Sequence, residues 1–125
     1  MIEVLLGSFT LILFLVHVTA GERDCARPLL AASYDATARW TMYVCWHAVS
    51  AQLLAGGAAL LWAGLAEGGA IGSTLVAVVS TMHLVYAGLF LVLSLRSGIE
   101  RGWLKLGQWI AFLPLGVGGW WAVLR

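Results

Sequence analysis

With 125 residues the chain is one domain by length, and at 62% hydrophobic and 10% charged, with a mean hydropathy of +0.94, it lies far from soluble-domain composition. Its formal net charge of +1 carries no basic footprint for nucleic acid. No Ser-His-acid set, paired carboxylates, Gly-rich phosphate loop or CxxC pair is present, so an enzyme is the weakest functional class.

The hydrophobic residues fall in four blocks, roughly 2–20, 38–65, 71–95 and 103–124. Each is close to the length of about 20 residues that crosses a hydrocarbon core. Backbone groups in lipid must be satisfied internally, which only helices or closed barrels achieve. The blocks lack the alternation of barrel strands. The sequence therefore predicts an all-α fold, an integral membrane four-helix bundle, with residues 1–125 as a single domain.

The first block opens Met1-Ile2-Glu3 without a basic residue and is longer than the apolar region of a secretory leader, so it is expected to be a retained span. Glu3, Gly7, Thr10, Phe14 and His17 recur at steps of four and three, continuing to Gly21 and Asp24. Residues so spaced share one helix face. That face is expected to point inward, leaving Leu, Ile, Val and Phe for lipid.

Residues 21–37 read as the longest connector. Pro28 is placed to begin a short helix, and Asp35 or Thr37 to cap the second span. Glu22, Arg23, Asp24 and Arg27 mix signs and read as interfacial ion pairs. Cys25 and Cys45 read as reduced thiols rather than a disulfide or a zinc motif.

The second span carries the densest run of functional side chains, from Arg39 to Gln52. One face holds Trp40, Tyr43, His47, Ser50, Leu54 and Gly57, and this polar face is expected to turn into the bundle. Thr41, Cys45, Ala48 and Gln52 lie on another. Farther out, Ala51, Ala55, Ala59 and Ala63 recur every four residues and are expected to be a close-packing surface. The third span aligns Ser73, Val76, Ser80, His83, Ala87, Phe90 and Ser94, with Tyr86 beside them. The fourth has Lys105 and Gln108 near its start, Pro114 at mid-span, then Gly116, Gly118 and Gly119. Pro114 removes one helical bond, freeing the carbonyl of Ile110.

Orientation follows from the basic residues. Arg23, Arg27 and Arg39 flank the first connector, and Arg96, Arg101 and Lys105 the third. The second connector holds Glu67 and no base. Both termini are thus expected on the outer side of a bacterial-type inner (plasma) membrane, with connectors 21–37 and 96–102 cytoplasmic. Trp40, Trp46, Trp103 and Trp109 then lie toward the inner interface, and Trp62, Trp120 and Trp121 toward the outer. All seven Trp are expected to anchor the chain there before any other role.

The candidate site residues are the histidines. His17, His47 and His83 lie about 5, 10 and 18 Å in from the cytoplasmic ends, counted at 1.5 Å per residue. Ionisable groups within spans are costly and default to functional candidates. A neutral His can equally hydrogen-bond a neighbouring helix, and the Ser, Thr and Gln side chains read as interhelical hydrogen-bonders of the same sort. Tyr43, His47 and Ser50, facing His17 and His83, form the candidate pocket.

Three functions compete for it. In one, His17 and His47 are the axial ligands of a haem b, or hold another metal, with Arg23 and Arg27 near the propionates; a quinone is the other redox group considered. The spacing of His17, Gly21 and Arg23 is similar to that around a haem ligand in cytochrome b subunits of succinate dehydrogenase. Three positions match, and nothing is carried over from them. In the second, the histidines relay protons. Small four-helix exporters use an acidic residue deep in the first helix, where this chain has only Glu3 near the start. Small fluoride channels carry a Thr- and Phe-rich break that Ser73-Thr74 and Ser80-Thr81 do not reproduce. In the third, favoured here, the protein is a non-catalytic component or accessory subunit that assembles in the bilayer with itself or with other membrane subunits.

Overall fold

The computed structural model describes residues 1–66 and 68–125. Glu67, the acidic residue of the second connector, lies outside the described residues. The described chain is all-helical, with three helices long and apolar enough to cross a membrane and a shorter apolar one.

Helix α1 (Ile2–Val16) does not end where its hydrophobicity ends. It runs into a π-helical segment (His17–Ala26) and then α2 (Arg27–Ala31), one rod of 30 residues. The Arg27 N–H bonds the Glu22 carbonyl, five residues back, in the π pattern. Residues 21–31 are therefore helix, not connector. The end of the apolar run does not end the backbone's hydrogen bonding, and the charged side chains there pair along the helix. Arg23 Nε meets Asp24 Oδ1 at 2.6 Å and Arg27 Nε meets Glu22 Oε1 at 3.7 Å. The expected ion pairs are present, and Pro28 sits in the first turn of α2.

Only Ala32 to Asp35 breaks the path to α3 (Ala36–Leu65). Asp35 is the N-cap, its Oδ2 accepting from the Ala38 N–H at 3.1 Å. Helix α3 spans 30 residues, about 45 Å at 1.5 Å per residue. Helix α4 (Gly69–Arg96) begins with Gly69 at φ +52°, and Gly98 takes φ +67° beyond its end. The fourth block is not one helix. A single turn, α5 (Gly102–Lys105), is separated from α6 (Trp109–Leu124). The 16 residues of α6 cover about 24 Å, short of a core of about 30 Å. The Trp109 indole bonds the Trp103 carbonyl at 3.0 Å, tying α6 back to α5 across the break.

Helix α1 lies antiparallel on α3, and α4 on α6; α3 meets α4, and α1 meets α6. The α1–α3 approach is backbone-close. A Cβ at Gly7 would come within 2.9 Å of the Gly57 carbonyl, and one at Gly57 within 2.7 Å of Leu11. In the α4–α6 pair, Gly116 lies on the Ser80 carbonyl and Gly119 has no room for a Cβ beside the Ser80 hydroxyl. Close backbones gain dispersion contacts without a hydrophobic drive between the helices. Leu53, Ala87 and Phe112 form the core cluster, joined by Leu13 and Phe14 from α1.

The close-packing surface on α3 is thus Gly56, Gly57 and Gly64, not the alanine row: Ala51 and Ala55 are exposed, and Ala59 and Ala63 half-buried. The hydroxyls also depart from expectation. Thr10, Thr19, Ser50, Ser73, Thr74 and Thr81 each donate to a carbonyl four residues back in their own helix. Among the described residues, the side-chain pairs that do cross between helices are Tyr86 with Gln52, and Trp120 with Thr81 at 3.1 Å.

The burial pattern is inverted relative to a soluble protein. Thr10, Ser50, Ser80, His83 and Ser94 are inside, while Leu5, Ile12, Val78, Val85, Leu89 and Val117 are exposed.

Candidate functional site

His17 begins the π segment, where its ring stacks on Trp46 of α3, centroids 4.5 Å apart and planes 21° apart. π-helical turns are frequent at functional sites. The His17 Nε2 lies 3.3 Å from the Trp46 carbonyl oxygen, which also accepts from Ser50 Oγ at 3.2 Å. A carbonyl only accepts, so Nε2 carries the proton and Nδ1 is left as an acceptor. His47 meets the Trp46 ring edge-on at 5.1 Å, and Tyr43 meets His47 edge-on at 4.5 Å. Tyr43 and Trp46 are nearly parallel, 6.2 Å apart.

The structure therefore brings His17, Tyr43, His47 and Ser50 together around Trp46. His47 does not turn into the bundle as expected: it is exposed on the flank between α1 and α3, while Ser50, one turn on, is buried. The reason is the order of the α3 faces. The helices meet through Ser50, Leu53, Gly56, Gly57 and Leu60, and His47 lies to the side of that row.

His83 is elsewhere. It is 2% exposed in the core, stacked on Phe112 with centroids 5.8 Å apart, and its Nδ1 is buried without a hydrogen-bond partner among the described residues. No two histidine rings are in contact among the described residues. Nor do three or more His, Cys, Asp or Glu gather there as a metal site. Because Trp46 touches both His17 and His47, a haem ligated by the two would have to displace its indole. Arg23 and Arg27 are exposed and engaged by Asp24 and Glu22. Cys25 and Cys45 are free and exposed.

A groove of about 440 Å3 opens beside the cluster, lined by Phe14, Val18, Glu22, Trp46, His47, Ser50, Ala51 and Leu54. The sequence reading missed two of its parts, the organising role of Trp46 and the presence of Glu22. Trp40, Tyr43 and Trp46 recur every three residues, an aromatic ladder that pointed to Trp46. Glu22 had no such signal, because the helical continuation that carries it was read as connector. A second cavity of about 300 Å3 opens where the chain ends meet, with Glu3 on its wall. Glu3 is held by the terminal amine at 3.0 Å and by Arg125 at 3.8 Å.

The chain matches no family model, no curated protein and no solved structure.

Proposed function

We propose that the protein is an integral membrane four-helix bundle that serves as a non-catalytic component of a self-associated or larger membrane assembly. One observation carries this reading. Val44, Ala48, Ala51, Ala55, Ala58 and Trp62 share one face of α3, and all are exposed. The outward faces of the other long helices differ. Helix α1 presents Leu5, Phe9, Ile12 and Leu15, and α4 presents Ile71, Val78, Met82, Val85 and Leu89. Lipid chains are contacted best by large side chains, whereas a row of alanines lets another helix approach closely. Helix α3 therefore offers a docking face that this chain leaves uncovered.

The membrane in this reading is a bacterial-type inner membrane. Arg23, Arg27, Arg96 and Arg101 lie on its cytoplasmic side and both termini on its outer side. The expected result is that the protein, solubilised from its native membrane in mild detergent, has a protein mass well above its 13.4 kDa by light scattering. Ala55→Trp, which puts an indole in the row but touches no core residue, is expected to reduce it to the single chain. A wild-type protein that is a single chain in both detergent and nanodiscs would refute the proposal.

A further inference from the structure

The groove between the first rod and α3 is graded in polarity along its length. Glu22, Trp46 and His47 line one end; Phe14, Ala51 and Leu54 line the other. From Glu22 to Phe14, and from Trp46 to Leu54, is eight residues, roughly 12 Å of helix. The polar end adjoins the charged turn that holds Arg23, Asp24 and Arg27, and the apolar end lies toward the middle of the helices. A membrane amphiphile has the same grading, with its head at the interface and its tail inward. The groove's volume of about 440 Å3 suits a small ring with the start of a chain.

The head group is specified by what the polar end offers. His47 is exposed there, and its contacts among the described residues are the edge-on rings of Tyr43 and Trp46. Glu22 is half-buried, its contact to Arg27 a loose 3.7 Å, so its carboxylate oxygens remain able to accept. Glu22 is the charged residue that lines the groove and Arg27 balances it at 3.7 Å, so the polar end has no excess of positive charge to hold a phosphate head or the two propionates of a haem. Trp46 and Phe14 supply flat aromatic surface. An ionised carboxylate only accepts and a neutral imidazole has an acceptor nitrogen, so the matching head is neutral, planar and carries hydroxyl donors.

We infer that this groove binds the dihydroxy-aromatic head of a lipid-borne quinol, its hydroxyls donating to Glu22 and His47 and its tail leaving past Ala51 and Leu54. The oxidised quinone has carbonyls in place of those hydroxyls and cannot donate to Glu22. The site thus selects the reduced form. Only binding is inferred, and it does not rest on the assembly reading.

The test uses the full chain in phosphatidylcholine nanodiscs, with empty nanodiscs as reference, titrated with decylubiquinol under reducing conditions and with decylubiquinone. Saturable binding of about one quinol per chain is expected, roughly ten- to hundredfold tighter than quinone, the range of one charge-assisted hydrogen bond. Glu22→Gln is expected to remove most of that preference, and Val18→Phe, which fills the groove from the first rod, to abolish binding. No saturable excess over empty nanodiscs would overturn the inference. So would equal affinity for the two forms that Glu22→Gln leaves unchanged, since the groove would then hold only an acyl chain. Val18→Phe that keeps its helical circular dichroism and binds like wild type would overturn it as well. Ala51 lines the groove and also lies in the alanine row, so the two proposals are separated by Glu22→Gln, whose position lies outside that row.

Discussion

Trp46 gives one carbonyl to two side chains and one ring to two imidazoles, and so fixes how His17 can behave. Nitrogen-15 spectra of His17 are expected to show the Nε2-protonated tautomer, because Nε2 faces a carbonyl that can only accept. A proton resting on Nδ1 would contradict the geometry. The polar pairs that cross between helices should matter more than the hydroxyls that bond within one. Tyr86→Phe, which removes the partner of Gln52, is expected to cost about 0.6 kcal/mol and no more than about 1.7. Thr74→Val is expected to cost less than that, since its hydroxyl bonds only the Ala70 carbonyl of its own helix. Unfolding equilibria in detergent compare the two. How far side chains could be read from the sequence varied with the helix. On α1, Gly7 and Thr10 are buried and Leu5 and Ile12 are outward, as the steps of four and three imply. On α4, Val76, Ser80, His83, Ala87 and Ser94 of the aligned row are buried, whereas Phe90 is half-buried and Ser73, at the start of the helix, is exposed. His47 was misplaced because α3 carries polar residues on several faces, and its buried side is chosen by glycines rather than by polarity.

Among the elements, the clearest difference from the sequence expectation is the first rod. Hydropathy falls near residue 20, but the helix continues through the π segment to Ala31. Nothing in a hydropathy profile separates a helix that leaves the membrane from a loop. The cap was legible to within two residues, because Asp35 and Thr37 both have the residue type that an N-cap requires, and Asp35 is the one that accepts from the Ala38 N–H. Asp35→Ala is expected to destabilise the start of α3 by about 1 kcal/mol. The check is faster amide exchange at Ala38 and its neighbours with no change at Leu53 or Leu60. The break before α6 falls at Leu106, Gly107 and Gln108, where the apolar run is interrupted beside Lys105; Lys105 and Gln108 were noted in the sequence, but 103–124 was taken as one span. Glycines set the separation of the helices. Gly119→Leu is expected to force α6 from α4, at about 1–3 kcal/mol for overpacking, and to lower the unfolding midpoint in detergent. An unchanged midpoint would mean that the two helices are not held as close as Ser80 and Gly119 imply.

For the molecule as a whole, the account joins an outside richer in large apolar side chains than the inside to one face of α3 that departs from that rule. The other exposed surfaces have Leu, Ile, Val and Phe to meet lipid; Ala48, Ala51, Ala55 and Ala58 do not. The sequence carried the alanines but not their exposure, which depends on the glycine side of α3 being the one that α1 covers. The most direct measurement places a photo-crosslinking side chain in native membranes at Ala55, and separately at Val85 on α4. The account expects a single discrete protein adduct from position 55 and lipid adducts from position 85. Lipid adducts from both positions would show that α3 faces the bilayer like its neighbours and would contradict the assembly proposal.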